Sequence, residues 1–327
     1  MQGRRARDDE IEQWVEQGWV VLDALVGADE IEAAYDDLFF LFPRPERFHA
    51  DPERYRPPGK TDAELRRGYP PMPDTGPAFR PEQHRWGREF PFYGNGGLNR
   101  LCVHPNIVDF AERALCTTDI RLYQAGVSAK YTGDANYEQP LHTDRNHSYL
   151  PARSGPPWWH LESFLYLCDV GEGNAPTHFV SRADSAARSV NVPFITTDDT
   201  EMYGHEQAAP GPRGSLLAYR NDVFHRAVDL SEPGGSRFLL NVSFKRAEIE
   251  WIGYHTMQSR ATHPGWVQFV ERSSPRELEL FGFPPPGHAV WDDALLEQTA
   301  ERYPGLDLAP WRRALGGHTT SQDREPG

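Results

Sequence analysis

The sequence predicts a mainly β domain, a sandwich or barrel with helices at its flanks. Five segments carry that expectation: IRLYQAGVSAKYT, WWHLESFLYLCDV, HFVSR, SLLAYR and FLLNVSFKR. Each alternates or runs apolar, is rich in aromatic and β-branched residues, and is bounded by Gly, Pro, Asn or Asp turns. Several strands at such spacing form a closed or two-layered β structure. Helical periodicity shows in the segments that precede them. At 327 residues the chain can bury a large core as one elaborated domain, and it shows no internal repeat.

Residues 8–42 predict a helix, a strand and a second helix. DDEIEQWVEQG places Ile11, Trp14 and Val15 on one face and stops at Gly18, a plausible C′ glycine. WVVLDAL reads as a short strand. GADEIEAAYDDLFFLF carries Ile31, Tyr35, Leu38 and Phe39 in one stripe, with Asp29 near the N-terminus where the helix dipole favours an acid. Residues 43–98 hold 11 of the 29 prolines, and PPGK, YPPMPD and FYGNGG break any periodicity. Disordered linkers are poor in aromatics. Tyr55, Tyr69, Phe79, Trp86, Phe90, Phe92 and Tyr93 therefore make this an ordered wrapping loop or lid. PNIVDFAERAL predicts a helix, 118–247 the β core, 248–315 a C-terminal extension, and 316–327 a flexible tail.

Lys and Arg number 34 against 48 Asp and Glu, a net charge of −14. A phosphate backbone or an anionic membrane surface would be repelled, so a small molecule is the expected partner rather than nucleic acid or membrane. An anionic ligand would need a local basic pocket. Cys102, Cys116 and Cys168 are odd in number and form no Cys-x-x-Cys pattern. That argues against a disulfide frame or zinc ribbon and for a reducing cytoplasm. The N-terminus MQGRRARDDE lacks the apolar core of a signal peptide, and no window approaches the roughly 20 apolar residues of a membrane span. The sequence carries no sign of an oligomeric state.

The stretch LHTDRNHS contains His142-x-Asp144. With 13 His and 23 Asp, about one such tripeptide arises by chance, and His49-x-Asp51 is a second. On an extended edge, His142 and Asp144 would share a face with Cα atoms about 6.5–7 Å apart. Bonds of about 2.1 Å could then converge on one ion. A third ligand is needed, and His225 is the candidate. It follows the strand SLLAYR and precedes a Glu-Pro-Gly-Gly-Ser turn, after which Arg237 opens the next apolar strand. Two His and one carboxylate make the facial triad of non-heme Fe(II) oxygenases. Fe(II) with one carboxylate carries one positive charge, so the far carboxylate of a chelating 2-oxo dicarboxylate would lie buried without a cation. The guanidinium of Arg237 offers the planar fork that suits it.

Singly, each of these residues has a structural explanation: a surface turn for His142 and Asp144, a strand-end hydrogen bond for His225, a surface charge for Arg237. Their order and β context reverse that balance. His49-x-Asp51, in the proline-rich excursion, is assigned to solvent. His160-x-Glu162 in WWHLESFLYL would face one side of a strand and ranks second, as the metal or pocket residues of a cupin-like small-ligand binder.

With these residues in hand, the chain resembles the phytanoyl-CoA dioxygenase family of Fe(II)/2-oxoglutarate oxygenases over most of residues 8–247. The likeness rests on DDEIEQWVEQGWVVLDALVGADEIEAAYDDL, YQAGVSAKY before QPLHTD, FLYLCDVGEGNAPTHFVSRADS, and GPRGSLLAYRNDVFHRAVDLSEPGGSRFLLNVSF. It implies a double-stranded β-helix (jelly roll, cupin-like) with Fe(II) held by His142, Asp144 and His225 and with 2-oxoglutarate gripped by Arg237. Lys130 and Thr177 fall at positions that also touch the co-substrate. The implied reaction consumes O2, converts 2-oxoglutarate to succinate and CO2, and hydroxylates an unactivated C–H of a small organic molecule, by preference a secondary metabolite. The chain departs from the family where SRAD replaces Pro-Gly-Ser-His and where Ala227 stands in place of a frequent Ser. Halogenating relatives lack the motif carboxylate; with Asp144 present, hydroxylation or another oxidation is expected. Arg145, His147, Trp158 and Trp159 flank the motif as candidate substrate contacts. Specificity is expected in 43–98 and in TTDDTEMYGHEQAAPGPRG.

Overall fold

A computed structural model of the protein describes residues 3–55, 86–134, 138–144, 147, 155–192, 194–249, 252 and 264–319. The strands are β1 (Trp19–Leu22), β2 (Gly87–Glu89), β3 (Ile120–Tyr131), β4 (Leu161–Tyr166), β5 (His178–Val180), β6 (Gln207–Ala208), β7 (Leu216–Arg220), β8 (Phe224–Arg226) and β9 (Ser236–Arg246). They form a six-stranded sheet in the order β1-β7-β4-β9-β3-β2 and a three-stranded sheet in the order β6-β5-β8. All the strand pairings among the described residues are antiparallel. This is a jelly roll with flanking helices, and one cavity is lined from both sheets.

Side-chain alternation along the strands separates core from cavity. On β9, Phe238, Leu240, Val242 and Phe244 enter the main core, while Arg237, Leu239 and Asn241 line the cavity. On β4, Leu161 and Leu165 go to the core, and Glu162 and Phe164 face the cavity. The core side of the large sheet is covered by helices. Trp14 of Asp8–Gln17 is fully buried, edge-on to Phe110 of Pro105–Ala114 with ring centres 6.4 Å apart.

The first helix ends at Gly18, whose φ of 87° is the left-handed region and whose N–H donates to the Trp14 carbonyl. Val15, read as part of the buried face, is 38% exposed instead; the helix buries a stripe centred on Glu10 and Trp14, and the Glu10 carboxylate accepts from the Arg7 N–H. The second predicted helix is two, Ala28–Ala33 and Tyr35–Leu41, with Ala34 between them. Ile31 and Leu38 are buried as the stripe requires, with Tyr35 and Phe39 packed against them.

Within the proline-rich stretch the structure shows helix Pro45–Ala50, a 3-10 turn at Pro52–Tyr55 and strand β2; residues 56–85, including Tyr69 and Phe79, lie outside the described residues. His49 is not given to solvent as expected: on its helix, Nε2 lies 3.0 Å from the Gly235 carbonyl and ties this stretch to the turn before β9. The C-terminal extension contributes helices that include Pro264–Glu271, Asp293–Arg302 and Ala309–Thr319. The expected tail is therefore helical to Thr319, and 320–327 lie outside the described residues. No described helix is long and apolar enough to cross a membrane.

Candidate metal centre

His142 and His225 exchange both backbone hydrogen bonds, His142 N–H to the His225 carbonyl at 3.0 Å and the reverse at 2.9 Å. Directly opposed residues of an antiparallel pair project to the same face, and the two rings stand 4.5 Å apart. His225 lies within β8. His142 lies on a short bridged segment anchored by Thr143, whose hydroxyl donates to the Val190 carbonyl at 2.7 Å. Asp144 follows, with Oδ2 at 3.6 Å from His225 Nε2. One ligand-capable atom from each of the three residues falls within 4.8 Å of the others.

The histidine tautomers are set by backbone. His142 Nδ1 lies 2.9 Å from the Pro140 carbonyl and His225 Nδ1 lies 3.1 Å from the Val223 carbonyl. A carbonyl can only accept, so Nδ1 carries the proton on both rings and Nε2 keeps its lone pair for a metal. Burial, with His225 alongside, pushes His142 down to about 4 and keeps it neutral. Burial alone would raise Asp144, but His225 and His147 hold its carboxyl below the ordinary value. Tyr219 on β7 donates to Asp144 Oδ2 at 3.0 Å and fixes the carboxylate. Neutral imidazoles and an oriented carboxylate on one point are the donor chemistry of a divalent first-row ion.

The group opens into a cavity of about 670 Å³, which is also lined by Gln124, Ser128, Phe164, Thr177, Arg237 and Asn241. Arg237 is 7% exposed and donates to the Ala175 carbonyl. It pairs in register with Lys130 across β3 and β9. Lys130 donates to the Val228 carbonyl at 2.9 Å and is not among the cavity-lining residues. Its burial, with Arg237 nearby, pushes its amine down to about 6. Ala227, where the family often has Ser, lines the cavity and is bound on both sides by Gln139.

Of the expected substrate contacts, His147 lines the cavity and Arg145 lies outside the described residues. The structure does not bring Trp159 to the cavity: it lies under the Arg220 guanidinium at 4.1 Å and edge-on to Trp14, an aromatic in the core beneath helix Asp8–Gln17. Nor does the loop TTDDTEMYGHEQAAPGPRG contribute; it forms helix Thr200–Gly204 and strand β6, away from the lining residues. The near wall comes from the other predicted segment, through Arg88, Glu89, Phe92 and Tyr93.

Several site residues were not singled out from sequence. Tyr219 had a readable signal, since alternation in SLLAYR puts it opposite the core-facing Ala218. Tyr123 did not: a bulge between Leu122 and Gln124 shifts the register against β9. Through it, Tyr123 reaches the Glu162 carboxylate while its neighbour Gln124 lines the cavity.

No protein-family model matches the chain, and no curated protein matches it. Among solved structures it is similar to the non-heme alpha ketoglutarate dependent carbocyclase SnoK from nogalamycin biosynthesis. The identity is 16% over 80% of this chain and 92% of that one, with a TM-score of 0.50. It is similar also to EctD from S. alaskensis, at 16% identity over 77% and 84% of the two chains with a TM-score of 0.49. A third is the epimerase SnoN, solved with Fe3+, alpha ketoglutarate and nogalamycin RO, at 15% identity over 73% and 83% with a TM-score of 0.49. Likeness at such identity speaks for fold alone. The chain is thus a cupin-like jelly roll of the kind found in 2-oxoglutarate enzymes, with a His/Asp/His group that could hold a metal ion at its cavity.

Proposed function

We propose that the chain is a non-heme Fe(II)/2-oxoglutarate-dependent dioxygenase that hydroxylates an unactivated C–H bond of a small organic molecule, by preference a secondary metabolite. The observation that carries this reading is the convergence of His142, Asp144 and His225 in one cavity with the buried Arg237. Fe(II) bound there would supply dioxygen activation coupled to oxidative decarboxylation of 2-oxoglutarate to succinate and CO2.

The chain's own residues do the rest. His142 and His225 offer Nε2 because their Nδ1 protons are committed to Pro140 and Val223. Asp144 supplies the carboxylate, and its presence favours hydroxylation over halogenation. One carboxylate leaves the Fe(II) site with one positive charge. A dianionic 2-oxoglutarate brings two negative charges, and Arg237 closes the balance by pairing with the far carboxylate. Thr177, just before β5, lines the same cavity as Arg237, as a further contact for the co-substrate. Phe92, Phe164 and Leu239 give the cavity apolar surface that keeps water from the reacting carbon. The finer assignment to the phytanoyl-CoA dioxygenase family rests on the motifs quoted above. The reading is of one oxygenase domain, with the free cysteines Cys102, Cys116 and Cys168 suited to the cytoplasm.

The test is anaerobic addition of Fe(II) and 2-oxoglutarate, which should give a weak visible charge-transfer band that His142→Ala and Asp144→Ala abolish. A band that persists in both variants counts against the triad. Succinate release in the presence of a metabolite library then reveals the substrate as the compound that stimulates turnover.

A further inference from the structure

A second set of donors faces the same cavity, and the function proposed above makes no use of it. His147 Nδ1 lies 2.9 Å from Glu162 Oε1, and His160 Nε2 lies 3.3 Å from the same oxygen. One ligand-capable atom from each of the three residues falls within 4.8 Å of the others. These separations are close to the roughly 3 Å that cis donors adopt around a first-row ion with bonds of about 2.1 Å.

His160 carries the argument. It is 1% exposed, its Nδ1 has no hydrogen-bond partner, and its Nε2 lies 3.3 Å from Glu162 Oε1 without the geometry of a hydrogen bond. Buried polar groups are otherwise satisfied, so an orphaned imidazole aimed at a carboxylate points to a missing ligand. A cation between His160 and Glu162 would take up the Nε2 lone pair and neutralise a carboxylate that is itself 1% exposed.

That carboxylate is already held as a ligand's would be. Ser243 donates to Oε2 and Tyr123 donates to Oε1. Tyr123 is the residue that the β3 bulge turns toward Glu162. Outer hydrogen bonds of this kind orient metal-binding carboxylates. Glu162 and His147 line the cavity while His160 lies behind them, so an ion here would keep an open side toward the bound substrate.

We propose that His147, His160 and Glu162 form a second metal site, for a zinc-type divalent cation whose open position faces the cavity. Two histidines and a glutamate are the donor set of zinc sites that keep one position for water or substrate. Such an ion would hold the substrate through an oxygen atom, a hydroxyl or carboxylate, beside the His142, Asp144 and His225 group. In the metal-free alternative, His147 and Glu162 simply share a proton.

The full chain, stripped with chelator and dialysed against Zn(II), should retain about two equivalents. His142→Ala should lose one of them. His160→Ala and Glu162→Gln should each lose the other, and the variant combining His142→Ala with His160→Ala should lose both. Glu162→Gln preserves side-chain size, and a thermal melt close to that of wild type confirms that a variant is folded. A single equivalent in wild type that His160→Ala and Glu162→Gln leave untouched overturns the second site. An equivalent lost in His160→Ala with none lost in His142→Ala upholds it and defeats the triad instead.

Discussion

His225 Nε2 stands 3.6 Å from Asp144 Oδ2, between a histidine placed by its backbone pairing with His142 and a carboxylate held by Tyr219. The paired hydrogen bonds between His142 and His225 fix both rings, and Asp144 follows two residues on. A preorganised site of this kind loses little entropy on taking up its ion.

Tyr219 is the next determinant, because its hydroxyl at 3.0 Å holds the Asp144 carboxylate in place. Tyr219→Phe keeps the ring and removes only that donor. Fe(II) affinity should fall about 10–100-fold, the usual cost of losing a group that orients a metal ligand. His225→Ala should cost more than that. An anaerobic Fe(II) titration checks both, and equal affinity for Tyr219→Phe and wild type would remove Tyr219 from the account.

Arg237 should act on the co-substrate and not on the metal. Arg237→Ala leaves a buried carboxylate unpaired, which costs about 2–5 kcal/mol. The apparent affinity for 2-oxoglutarate, read by titrating the charge-transfer band, should fall by at least ~30-fold while iron content stays unchanged. Arg237→Lys keeps the charge but not the planar fork, so it should restore only part of the loss. Loss of iron in Arg237→Ala would show that the residue serves the fold.

The strands were legible because their alternation survives in the sequence: Phe238, Leu240 and Val242 against Arg237, Leu239 and Asn241 is a two-residue period that assigns core and cavity in advance. His142, Asp144 and His225, picked out by their order along the chain, come together in the structure, and Arg237 lines the same cavity. What sequence could not carry were departures from period. The Tyr123 bulge inserts one residue into β3, and Ala34 splits a helix whose apolar stripe runs through it. Trp159 was misplaced because an aromatic before a strand reads alike whether it meets a ligand or, as here, Trp14 and Arg220. His49 reached the Gly235 carbonyl through a long-range contact that no local pattern encodes.

Gly18 links the first helix to the metal centre. Its φ is 87°, and a Cβ there would come within 2.3 Å of Val223 Cγ2. Val223 is the residue whose carbonyl accepts the His225 Nδ1 proton. Gly18→Ala should therefore destabilise by about 1–2 kcal/mol from backbone conformation alone, with the clash adding to it. Thermal melting should show a drop of several degrees, and a Tm equal to that of wild type would contradict the left-handed turn.

Acid and alkali should each destabilise the metal-free protein through a different histidine. His142 is pushed down to about 4 by burial, with His225 adding to the effect. Since the unfolded residue titrates near 6.5, the unfolded chain binds more protons between those values. The stability contributed by neutral His142 is present above about 6.5 and is lost as pH falls toward 4. His147 has the opposite sign. Burial opposes its charge, but Glu162 and Asp144 outweigh that and raise it to about 9. Its contribution is complete below about 6.5 and is lost as pH rises through 9. Melting temperature against pH should thus peak near neutrality. Glu162→Gln should flatten the alkaline limb, because His147 draws its charge from that carboxylate at 2.9 Å, and it should also soften the acid limb, because, against burial, the neighbouring histidines hold the Glu162 carboxyl well below its ordinary value. An alkaline limb unchanged in Glu162→Gln would mean that the His147 and Glu162 pair does not set it.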